Sequence, residues 1–171
     1  MQTIMSSALP STISVIPPHP GEPDSRWLAD WHYRGYLELD AAESSPGAAR
    51  RLIRRRLPCW GLDHLLDSAE LVATELITNS VAATREFAWE GNMPPVRLWL
   101  LGSDRAVGVL VWDGVMLAPV PFRPGSPEEL MPDALAESGR GLGIVAHLSA
   151  QADCYIPPAP FWGKITRALI S

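Results

Sequence analysis

From Leu62 to Ile77 the apolar residues Leu62, Leu65, Leu66, Ala69, Val72, Ala73, Leu76 and Ile77 recur every few positions, a spacing that a helix turns into one continuous stripe. A long helix this apolar along one side needs a broad apolar surface to lie on. Further along, Val96 to Leu101 and Val107 to Trp112 read as two strands joined by the polar turn Gly102-Ser103-Asp104-Arg105, an antiparallel hairpin. Upstream, Tyr33, Gly35, Leu37 and Leu39 alternate with Arg34, Tyr36, Glu38 and Asp40, so Trp31 to Asp40 reads as a first strand.

Ser45 and Pro46 make an N-cap and first-turn pair for an arginine-rich helix that Pro58 closes. A turn at Trp60-Gly61 then leads into the long helix, which should fade between Thr84 and Phe87. After Asp113-Gly114, prolines at 119, 121, 124, 127 and 132 predict a long irregular loop of the kind that serves as a lid or binding loop. Ser138 to Gly143 ends that loop, Ile144 to Leu148 reads as a short helix, and strands around Ala152–Ile156 and Trp162–Ile170 complete the sheet. The order predicts an α+β fold, a two-layer α/β sandwich whose mostly antiparallel sheet is covered by helices on one face.

Residues 1–30 read as a flexible tail, because Pro10, Pro17, Pro18, Pro20 and Pro23 among serines and threonines bury too little to offset their ordering entropy. Residues 31–171 read as one domain. With a net charge of −5 the chain does not look like a general nucleic-acid binder. Its five clustered arginines, Arg50, Arg51, Arg54, Arg55 and Arg56, interleave with Ala49, Leu52, Ile53 and Leu57, which favours a solvated helix face over a docking patch for an acidic partner. Cys59 and Cys154 have neither disulfide-framework nor metal-ligand spacing, and no stretch reads as a signal or membrane span. A cytoplasmic, soluble protein with reduced thiols is expected.

Three features carry chemistry. Glu75 and Asn79 stand four residues apart and share one face at the edge of the apolar stripe, a carboxylate and a carboxamide suited to a hard cation or an attacking nucleophile. Asp113 ends an apolar strand, where a carboxylate is costly to bury alone; it can start a turn before Gly114 or, in a pocket, accept from an exocyclic amine. Gly139, Gly141 and Gly143 lead into a helix, and the N–H groups of such a turn suit phosphate. Lys164 reads as an ordinary solvated strand lysine, and the four histidines are too scattered to assign.

In this order, with a long loop before the glycines, the three features resemble the GHKL ATPase superfamily, the group of histidine-kinase catalytic domains, gyrase and the anti-sigma-factor serine kinases. Glu70 to Thr84 looks like the N-box, Val109 to Gly114 the first glycine box and Glu137 to Ala146 the second. Trp60-Gly61-Leu62-Asp63 and Trp162-Gly163-Lys164 look like landmarks of its small stand-alone actinobacterial members. The resemblance implies a Bergerat-type fold that binds ATP and Mg²⁺. It casts Asn79 as the Mg²⁺ ligand, Glu75 as the general base of kinase members, and Asp113 with Gly114 at the adenine. Gly139, Arg140, Gly141 and Gly143 would hinge the ATP lid and cradle phosphate. It also implies a protein partner of the sigma-factor or anti-anti-sigma-factor kind, with a homodimer left open. Two activities fit: a serine/threonine kinase, or an interaction module whose nucleotide site has decayed.

Overall fold

The computed structural model describes residues 16–20, 30–116 and 136–171, and of 136–140 the backbone alone. Its elements are β1 (Tyr33–Leu39), α1 (Ser45–Arg56), α2 (Leu66–Glu86), β2 (Val96–Gly102), β3 (Val107–Asp113), α3 (Ala136–Leu148), β4 (Gln151–Tyr155) and β5 (Lys164–Ile170). The fold is α+β: the strands form one antiparallel sheet in the order β1-β2-β3-β5-β4, and three helices accompany it. The predicted β2–β3 hairpin is present, with Val107 paired to Gly102 and Trp112 to Arg97.

Pleating divides the strand residues between two apolar clusters. Val96, Leu98, Leu100, Val107, Val109, Val111, Ala168 and Ile170 pack with Ile53 of α1, with Val72, Leu76 and Ile77 of α2, and with Val145 of α3. On the opposite face Trp99, Leu101, Leu110, Trp112, Tyr155 and Ile165 make a second cluster. Every residue of β3 is buried. That explains its unbroken apolar run: a central strand covered on both sides gains nothing from alternating with polar residues.

Ile16 belongs to the second cluster, and the Tyr155 hydroxyl donates to the Pro17 carbonyl at 3.2 Å. Part of the expected flexible tail, residues 16–20, therefore lies against the fold, held by contacts that proline content does not reveal: Ile16, the Pro17 carbonyl, and His19, whose ring stands edge-on to Tyr155 with centroids 4.5 Å apart. The remainder of that tail, 1–15 and 21–29, and the predicted loop over 117–135 lie outside the described residues.

The arginine-rich helix turns Ala49 and Ile53 inward and leaves Arg51, Arg54, Arg55 and Arg56 exposed, as its spacing predicts. Ser45 is not its cap but its first residue; the hydroxyl donates to the Asp40 carbonyl at 2.6 Å and ties the end of β1 to α1. Across the α1–α2 seam Arg54 forks onto Glu70, with Nη2 2.9 Å from Oε2, and Arg50 reaches the Thr74 hydroxyl at 3.4 Å. The chain then turns at Gly61, whose φ of +72° is left-handed, and passes through a short 3-10 turn at Asp63–Leu65 before α2 begins at Leu66. No helix among the described residues is long and apolar enough to cross a membrane.

Candidate functional site

β3 ends at Asp113, and the register of β5 sets Lys164 directly opposite it. The carboxylate is completely buried. Its Oδ1 accepts from the Lys164 ammonium at 2.8 Å and from the Val115 N–H at 3.0 Å. Oδ2 is buried with no hydrogen-bond partner. Asp113 thus does what a turn-starting aspartate does, bonding the backbone two residues on. It also carries an ion pair that Lys164, read as solvated, was not expected to make.

Asp113 and Val111 share the helix-facing side of β3, as Lys164 and Thr166 do on β5. Thr166 Oγ1 lies 3.4 Å from Cys154 Sγ on β4. Burial pushes the Cys154 thiol above its usual range, against the opposing pull of the Thr166 contact and the Lys164 charge. A polar strip of Asp113, Lys164, Thr166 and Cys154 therefore interrupts a sheet face that is otherwise aliphatic. Sequence periodicity could not find Lys164, although an acid ending a wholly apolar strand is itself a signal that a cation must lie across from it.

The backbone around Asp113 is tightly held. Gly163 has φ +80°, and a Cβ there would strike the Asp113 carbonyl and the Trp112 ring. Trp112 Nε1 donates to the Trp162 carbonyl at 2.6 Å across the same junction. Gly114, expected beside a bound base, is packed among aromatics: a Cβ would lie 2.7 Å from Trp162, 2.9 Å from Pro94 and 3.0 Å from Trp89.

Glu75 and Asn79 lie one turn apart on α2, both half-buried. The Glu75 carboxylate lies directly against the backbone of Gly141, where a Cβ would collide with Oε2 and come within 3.3 Å of Cδ. The Asn79 amide nitrogen is buried with no acceptor; Thr84 Oγ1 near the end of α2 and Ser149 Oγ after α3 are likewise without partners.

The glycine run differs from expectation. Gly139, Arg140, Gly141 and Gly143 lie inside α3, which begins at Ala136 rather than Ile144. Only the first four N–H groups of a helix lack internal acceptors. The N–H groups of Gly141 and Gly143 belong to the helix ladder and are not available to an anion. The structure thus joins Glu75 to Gly141 and Asp113 to Lys164, keeps Asn79 on the Glu75 helix, and sets Gly114 in an aromatic packing role. Among the described residues no three or more His, Cys, Asp or Glu side chains cluster as a metal site would require. No protein-family model matches the chain, and no curated protein matches it.

Proposed function

We propose that the protein is a cytoplasmic Mg-ATP-binding regulator of the GHKL type, with a Bergerat-type fold, acting on a protein partner of the sigma-factor or anti-anti-sigma-factor kind. One observation carries the reading: a buried donor without an acceptor, Asn79 Nδ2, and a buried acceptor without a donor, Asp113 Oδ2. Such orphans are costly unless a ligand satisfies them. An adenine nucleotide offers what both lack, an exocyclic amine hydrogen for Asp113 and phosphate oxygens for the Asn79 amide.

The donor set also suits the metal. Magnesium keeps several waters and takes few protein ligands beside phosphate, so a single carboxamide is enough and a carboxylate cluster is not needed. Asn79 would hold it through its Oδ1, with Nδ2 left to donate to a phosphate oxygen. When bound, the ion would neutralise phosphate charge. Glu75 stands one turn from Asn79, where it can orient or deprotonate a serine or threonine hydroxyl of the partner.

A second reading, an interaction module without catalysis, is favoured by the aromatic packing at Gly114 and the complete burial of Asp113. Calorimetric titration with Mg-ATP tests the nucleotide reading. Wild type should bind saturably, and Asn79→Ala should weaken binding by roughly ten-fold or more, the loss of one charge-assisted contact. Absence of binding to wild type at millimolar nucleotide would overturn it. Transfer of labelled γ-phosphate to a partner, abolished by Glu75→Ala, supports the kinase; capture of the partner without transfer supports the module.

A further inference from the structure

We infer that Lys164 decides which nucleobase this site accepts, by pinning one oxygen of Asp113 and leaving the other bare as an acceptor; the inference rests on the nucleotide reading above. Asp113 is reached by no solvent, so its hydrogen-bond partners are those the fold supplies. Lys164 Nζ at 2.8 Å and the Val115 N–H at 3.0 Å both engage Oδ1. They pin the carboxylate from one side and leave Oδ2 without a protein donor. An ionised carboxylate oxygen only accepts hydrogen bonds, whereas a protonated one donates. In this state Oδ2 matches the 6-amino group of adenine and rejects the 6-keto oxygen of hypoxanthine or guanine, which would set acceptor against acceptor.

Without the ammonium, Oδ1 keeps only the Val115 N–H, and the carboxyl group is no longer held with Oδ2 as its bare acceptor. Lys164 is therefore a positioning residue that acts on the base through Asp113. Its register partner is the reason Asp113, rather than any other strand-end acid, can read an amine.

The test compares binding of ATP and inosine triphosphate, which differ at position 6 of the base, by wild type, Lys164→Met and Lys164→Arg. Wild type should favour ATP by roughly ten-fold or more, and Lys164→Arg should keep that preference. Lys164→Met should bring the ratio to about one. The paired variant Asp113→Asn with Lys164→Met leaves no unpaired charge and covers the case in which Lys164→Met fails to fold. Its amide oxygen stays on the Val115 N–H, its NH2 takes the place of Oδ2, and the ratio should favour inosine triphosphate. A wild-type ratio in Lys164→Met or in the paired variant overturns the inference while leaving nucleotide binding intact. A wild type that binds neither nucleotide overturns the proposed function itself, and the inference with it.

Discussion

Two left-handed glycines separate backbone strain from steric exclusion. Gly61 has φ +72° with nothing within 4 Å of a Cβ position, whereas Gly163 at φ +80° faces the Asp113 carbonyl and the Trp112 indole. Gly61→Ala should cost about 1–2 kcal/mol, the strain of a left-handed alanine alone. Gly163→Ala should cost about 3 kcal/mol or more, because the backbone holding Asp113 must also move. Urea denaturation of the two variants measures the difference, and equal costs would show that the Trp162–Gly163 turn is not tightly packed. At this scale the sequence exposed a cost without its remedy. An acid closing an apolar strand announces a buried charge, but its cation lies 51 positions away and is chosen by strand register, which no local pattern encodes.

The elements themselves were largely legible, since periods of two and of three to four residues locate all five strands and the helices α1 and α2. The start of α3 was not, because glycines read as punctuation when nothing local says what they approach. Gly141 lies in the helix because Glu75 of α2 occupies the space its side chain would fill. Two effects oppose each other in Gly141→Ala. Alanine gains up to about 1 kcal/mol of helix propensity, while overpacking costs about 1–3 kcal/mol. Because the first atom met is the mobile end of Glu75, the carboxylate can swing aside, and stability should change by less than about 1 kcal/mol. Under the proposed kinase reading, phosphate transfer should fall sharply all the same, through the displaced Glu75. A large loss of stability with transfer retained would show that the carboxylate is held elsewhere.

For the molecule as a whole, the central strand β3 is buried on both sides, and burial also reaches groups far from the candidate site. Tyr36 lies against Trp99 with ring centroids 5.6 Å apart, and its hydroxyl donates to Glu38 at 3.2 Å. Burial first, and the Glu38 charge second, push the phenol from its ordinary value near 10 to about 12. The folded chain therefore keeps a proton that the unfolded chain sheds. The resulting stability is fully present below about pH 10 and is lost as the pH rises toward about 12. Between about pH 9 and about pH 11.5 wild type should lose more stability than Tyr36→Phe, which has no proton to shed; equal losses would show that the ring is freely solvated. The second sheet face was only half legible: Trp99 and Trp112 lie in strands that the sequence pattern locates, but the docking of Ile16 within a proline-rich stretch had no signature in composition.

The salt link between Asp113 and Lys164 also limits how the protein can change over generations. The two groups come from different strands and are encoded far apart, yet a substitution at either one strands the other in an interior that punishes a lone charge. A change at one is therefore best tolerated when the other changes with it.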